Sequence, residues 1–167
     1  MTTLVERARV FATAAHAAVG QKRKYTGEPY IVHPTEVAAI VREAGGTDEM
    51  VAAAFLHDVV EDTGVTLEDL QNEFGSNVST LVSWLTDVSR PEDGNRRVRK
   101  AIDRAHSAEA PAEAQTVKVA DLISNSTTIF KFDPGFAKVY LEEKRQLLEV
   151  LTKADPALLE RARNQFG

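Results

Sequence analysis

Residues 50–62, MVAAAFLHDVVED, constrain the fold more than any other stretch of the chain. Seven apolar residues run straight into His57, Asp58, Glu61 and Asp62. A helix that is apolar on every side has to lie inside a layer of other helices. Its polar end then needs partners, because an unpaired buried charge is strongly disfavoured. In an unbroken helix His57 and Glu61 share one stripe at i, i+4. Asp58 and Asp62 share the next, about 100° round. Val59 and Val60 lie on the other side. Acids near a helix C-terminus oppose its dipole unless a cation compensates.

The rest of the chain reads as helix nearly throughout. Residues 3–19 put Leu4, Ala8, Phe11 and Ala15 on one face, with Gly20 as the stop. The basic loop QKRKYTGEPYIV follows. His33-Pro34 then opens a helix that ends at Gly45-Gly46, with Pro34 suited to a first turn. Thr47 caps the third helix, expected to carry HDVVED without a break and to stop near Gly64. Thr66 and Asp69 resemble a capping box for LEDLQNEF, closed by Gly75. Further helices are expected over 77–88, 95–106, 112–131 and 136–153, followed by a short one capped at Asp155-Pro156. RPEDGN reads as a turn and SAEAPAE as a linker. No strand alternation or internal repeat interrupts this pattern, so the expected class is all-α and single-domain.

Composition narrows the function classes. The net charge of −5 over 167 residues does not suggest a nucleic-acid partner, so any anion site must be a local basic cluster. The absence of cysteine excludes disulfides, thiolate zinc sites and cysteine nucleophiles, and suits a cytoplasmic location. No apolar run reaches the ~18 residues that span a bilayer. The N-terminus lacks the basic-then-apolar order of a signal peptide.

Two further residues are candidates to join His57 and Asp58. His33 stands where a helix begins. Asp121 lies in the apolar segment VKVADLISN, on a polar stripe with Lys118, Asn125 and Thr128 at i, i+3, i+7 and i+10. Imidazoles and carboxylates without sulfur suit Mn²⁺, Fe²⁺, Mg²⁺ or Zn²⁺. Such an ion lowers the pKa of its water and polarises a phosphoryl oxygen. Glu61 and Asp62, one turn beyond, are placed to orient that water or move a proton. His16 and His106 read as ordinary helix residues.

Taken in order, His33, His57-Asp58 and Asp121 resemble the H…HD…D metal ligands of the HD-domain phosphohydrolases. QKRKYTGEPYIVHP followed by AAAFLHDVVEDTGVTLEDLQNEFG resembles, more narrowly, the hydrolase domain of the Rel/Spo alarmone enzymes, with HDVVEDT matching their HDxxED motif. The similarity runs from about residue 5 to about 153, strongest over 20–75 and around 117–128. The resemblance implies an HD-domain helical bundle over 1–167. It implies one divalent ion per chain, Mn²⁺ in this family, held by His33, His57, Asp58 and Asp121. Glu61 and Asp62 become the catalytic pair, and Arg23, Lys24, Asn125 and Thr128 the nucleotide contacts. The substrate implied is guanosine tetra- or pentaphosphate, whose 3′-pyrophosphate is removed. A chain ending at Gly167 leaves no room for the synthetase and regulatory domains of the bifunctional members, so the stand-alone hydrolases of this family are the expected relatives.

The segment after Asp121 departs from the family. Asp-Arg/Lys-Leu-His/Tyr-Asn-x-Arg becomes Asp121-Leu122-Ile123-Ser124-Asn125-Ser126-Thr127. The ligand Asp and the Asn persist, while a basic residue, a His or Tyr and an Arg are lost. One alternative stays open on that ground: the same chemistry on another nucleotide, such as the 2′-phosphate of NADPH. A nucleotide-binding module without turnover is a further alternative, which the intact HDVVED argues against.

Overall fold

The computed structural model describes residues 2–165, and among these the regular structure is helical. The chain divides between Thr86 and Asp87 into two compact units.

The first unit holds α1 (Leu4–Ala18), α2 (Val32–Glu43), α3 (Asp48–Leu56), α4 (Val59–Asp62), α5 (Leu67–Phe74) and α6 (Ser76–Leu85). The middle of the unit is α3, with α1, α2 and α6 packed around it. Every residue from Met50 to Leu56 is buried. Ala52, Ala53 and Ala54 allow backbones to approach it closely, while Leu56 and Val59 fill the space at its end. Truncating Leu56 to Ala removes buried methyl groups and costs about 2–5 kcal/mol. Thr47 caps α3 by accepting the Met50 amide, and Thr66 with Asp69 closes both arms of the expected capping box on α5. The α2–α3 turn is tight at Gly46, where a Cβ would lie 2.5 Å from a Val41 methyl carbon and 2.9 Å from its carbonyl oxygen. Any side chain there has to push α2 aside.

One expectation fails in this unit. The third helix does not run through HDVVED; it ends at Leu56 and resumes as the single turn α4. His57 Nδ1 lies 2.6 Å from the Ala54 carbonyl oxygen. In a continuing helix that carbonyl is the acceptor for the Asp58 amide, so the imidazole competes with the helical ladder where the helix stops. Asp58 sits at φ −104°, ψ −5°, outside ideal helical geometry.

The second unit holds α7 (Arg96–Glu109), α8 (Ala112–Phe132), α9 (Pro134–Val150) and α10 (Pro156–Asn164), preceded by a 3₁₀ turn at Pro91–Asp93. Its longest helix, α8, packs against α9 and α10, and α7 packs against α9. The supposed linker SAEAPAE is mostly helix: α7 continues to Glu109 and α8 begins at Ala112. Buried Gln115 holds that corner. Its amide donates to the Ser107 carbonyl at 3.1 Å, and its oxygen accepts the Lys153 amide at 2.8 Å. Asp133 closes α8 and caps α9 at once, accepting the Phe136 amide.

Candidate metal centre and its surroundings

Three of the predicted ligands meet in the first unit. His33 enters from the first turn of α2, where Pro34 needs no amide partner. His57 and Asp58 come from the break between α3 and α4. One ligand atom from each residue can be chosen so that all lie within 4.8 Å of one another. His57 Nε2 is 3.0 Å and His33 Nε2 is 3.9 Å from Asp58 Oδ2. Both imidazoles are almost fully buried, with ring centroids 5.3 Å apart and edge-to-face.

The protonation pattern follows from the partners. A carbonyl only accepts, so His57 carries a proton on Nδ1 where it meets Ala54. Its Nε2 then turns a lone pair toward Asp58 Oδ2, itself an acceptor. Two acceptors 3.0 Å apart need a positive species shared between them, a proton or a metal ion. The donor set of two imidazoles and a carboxylate, with one ring tautomer set by a backbone carbonyl, fits a divalent cation. Tyr30 completes the cluster by donating its hydroxyl to Asp58 Oδ2 at 2.6 Å.

Glu61 and Asp62 are exposed on α4. Loss of surrounding water pushes the Asp62 carboxyl above its ordinary range, and the Asp58 carboxylate adds to that, while hydrogen bonding from Gln21 opposes it. The basic loop folds back over this edge through a bridge between Lys22 and Pro29, and Gly27 turns it with φ +73°. Arg23 is half-buried and Lys24 exposed, the Lys24 ammonium lying 5.3 Å from the Tyr25 ring centroid.

Asp121 belongs to the second unit, on α8, and is buried. Lys118 Nζ stands 3.5 Å from its Oδ2, and the Asn125 amide donates to its Oδ1 at 3.1 Å. These three residues line a cavity of about 130 Å³ shared with Lys100, Arg104 and Tyr140. Leu122 lines it too. Thr128 is half-buried one turn beyond Asn125. Arg96 makes a two-pronged pair with Glu143, another residue of the cavity wall, at 2.8 and 3.0 Å.

Three residues near the metal cluster were missed in the sequence reading: Tyr30, Gln21 and His16. Tyr30 left only a weak signal, three residues before His33. His16 left a stronger one, since it continues the stripe of Ala8 and Ala12, all three buried. A histidine on a fully buried stripe calls for an explanation beyond packing.

An HD-domain family model matches residues 8–126, and the chain belongs to that family. Within it, the chain is 33% identical over 147 residues to the guanosine-3′,5′-bis(diphosphate) 3′-pyrophosphohydrolase MESH1 of Danio rerio, covering 84% of this chain and 80% of that one. It is 34% identical over 145 residues to the guanosine-3′,5′-bis(diphosphate) 3′-pyrophosphohydrolase of Aquifex aeolicus, covering 85% of this chain but 19% of the relative. The chain thus spans about a fifth of the length of several curated relatives it matches. A solved structure described as a metazoan ortholog of SpoT that hydrolyzes ppGpp aligns with a TM-score of 0.86 and 26% identity, covering 100% of this chain and 97% of that one. No helix among the described residues is long and apolar enough to cross a membrane.

Proposed function

We propose that this chain is a metal-dependent hydrolase that removes the 3′-pyrophosphate of guanosine tetra- and pentaphosphate, giving GDP or GTP and pyrophosphate. The observation that carries the reading is the cluster of buried His33 and His57 with half-buried Asp58, in a chain similar over most of its length to a relative named for that activity.

His33, His57, Asp58 and Asp121 are the proposed ligands of one divalent ion, Mn²⁺ by the family resemblance. Asp121 fits the role as a buried carboxylate already oriented by Asn125. When bound, the ion supplies Lewis acidity to the attacking water and to the phosphoryl oxygen. Glu61 orients the water, and Asp62, whose carboxyl is raised toward the working range of a base, accepts its proton. Arg23 and Lys24 hold the phosphates by charge-assisted hydrogen bonds. Asn125 and Thr128 line the base side. The lack of cysteine in the sequence suits a cytoplasmic enzyme.

A second reading, the same reaction class on another nucleotide, is favoured by one observation: Leu122 is an apolar wall of the cavity where the family has a cation. A panel of nucleotides assayed with and without Mn²⁺ separates the readings. Mn²⁺-dependent pyrophosphate from guanosine tetraphosphate is expected. Inorganic phosphate from NADPH, or nucleotide binding without turnover, overturns the first reading.

A further inference from the structure

We propose that His16 and Gln21 are positioning residues that hold the Asp62 carboxylate in its working orientation. The inference rests on the reading of Asp62 as the proton acceptor. His16 Nδ1 lies 2.8 Å from Gln21 Oε1, and Gln21 Nε2 donates to Asp62 Oδ2 at 3.1 Å. The direction of this relay is set at the carboxylate end. An ionised carboxylate only accepts, so the Gln21 amide must turn its NH₂ to Asp62 and its oxygen to His16. The amide oxygen only accepts in turn, so His16 must carry its proton on Nδ1. Three side chains therefore fix one another, and only one amide rotamer satisfies them all.

Packing alone does not explain His16. It is 1% exposed, and among the described residues its Nε2 has no hydrogen-bond partner. Leaving a buried polar atom unsatisfied costs about 1–3 kcal/mol. Ala8 and Ala12 fill the preceding positions of the same stripe without that penalty. The imidazole is accounted for by what its Nδ1 does. Its ring also meets the Tyr30 ring, with centroids 4.7 Å apart, and the Tyr30 hydroxyl donates to Asp58. One buried ring thus braces the proton-accepting side of the site through Gln21 and the ligand side through Tyr30.

Gln21→Met keeps the length of the side chain and removes both hydrogen bonds. With guanosine tetraphosphate and Mn²⁺, kcat should fall roughly 10- to 100-fold while KM and bound metal stay near wild type. His16→Phe, which keeps a ring without the donor, should fall with it. His16→Asn places an amide N–H near the position of Nδ1 and should recover most of the rate. An activity-independent reading comes from ¹⁵N NMR of the imidazoles: His16 should be the Nδ1–H tautomer in the wild type and lose that preference in Gln21→Met. Wild-type kcat in His16→Phe, or an unchanged His16 tautomer in Gln21→Met, overturns the proposal. A wild-type protein inactive on guanosine tetraphosphate defeats the functional reading instead, and the NMR result then judges the relay alone.

Discussion

The metal cluster of the first unit and the polar cavity of the second both keep charge away from water, but by different means. Around His57 each side chain is held in direction by a neighbour: a backbone carbonyl at His57 Nδ1, a phenol at Asp58, flanking rings at His33. Those groups arise from α2, the α3–α4 break and the basic loop, so chain segments distant in sequence constrain each donor. The cavity beside Asp121 is built differently. Lys118, Asp121 and Asn125 lie along one helix, with Lys118 and Asn125 both directed at Asp121. Lys100, Arg104 and Glu143 reach the same space from α7 and α9. Mixed charges on flexible stems can rearrange around a ligand at small expense, whereas rings locked by backbone partners cannot. On the proposed function, the first arrangement suits holding an ion, and the second, Asp121 apart, suits adapting to a substrate.

Substitutions can break this division. The largest effect is expected at His57→Ala, which should lose bound metal by elemental analysis and all measurable turnover. Glu61→Gln should keep its metal and lose roughly 10²- to 10⁴-fold in kcat; loss of the metal there would show that ligands and water-orienting groups are wrongly divided. Asn125→Ala, in the second unit, should act mainly on KM, by about tenfold, the equivalent of ~1.4 kcal/mol. A fall in kcat at unchanged KM would place Asn125 with the reaction chemistry instead. The smallest effect concerns stability. Burial pulls the Lys144 ammonium down to about 8. Below that pH it is charged in both folded and unfolded states, and the folded state bears the full penalty. As pH rises from about 8 toward the ordinary 10.5, the unfolded chain holds more protons than the folded one, and the penalty is relieved. Lys144→Met should therefore stabilise near neutral pH by at most about 1 kcal/mol, with the gain shrinking across that window in denaturant titrations. A gain that grows with pH would reverse the sign.

Much of this was legible in sequence, for reasons that differ by residue. The all-helical class followed from periodicity and from Thr47, Thr66 and Asp155, whose caps are local chemistry that a sequence displays directly. The grouping of His33 with His57 and Asp58 was legible because His57-Asp58 stood at the end of an apolar run and His33 at a helix start before Pro34. The break after Leu56 was not, since it depends on one side chain competing for a carbonyl three residues back. SAEAPAE looked like a linker from its Ser, Ala and Pro content, yet Gln115, eight residues past Ser107, ties it into a tight corner. Tyr30, Gln21 and His16 stayed hidden because their partners lie at separations that no periodicity reports.

Asp133 ends one helix and starts the next with nothing in between. Each residue inserted at that corner would rotate α9 by about 100° about its own axis. One added residue is enough to swing Tyr140, Glu143 and Lys144 out of the cavity wall they now form. The corner is therefore phase-locked: its length helps set the cavity wall, and insertions or deletions there should be far less permissible than ordinary point changes.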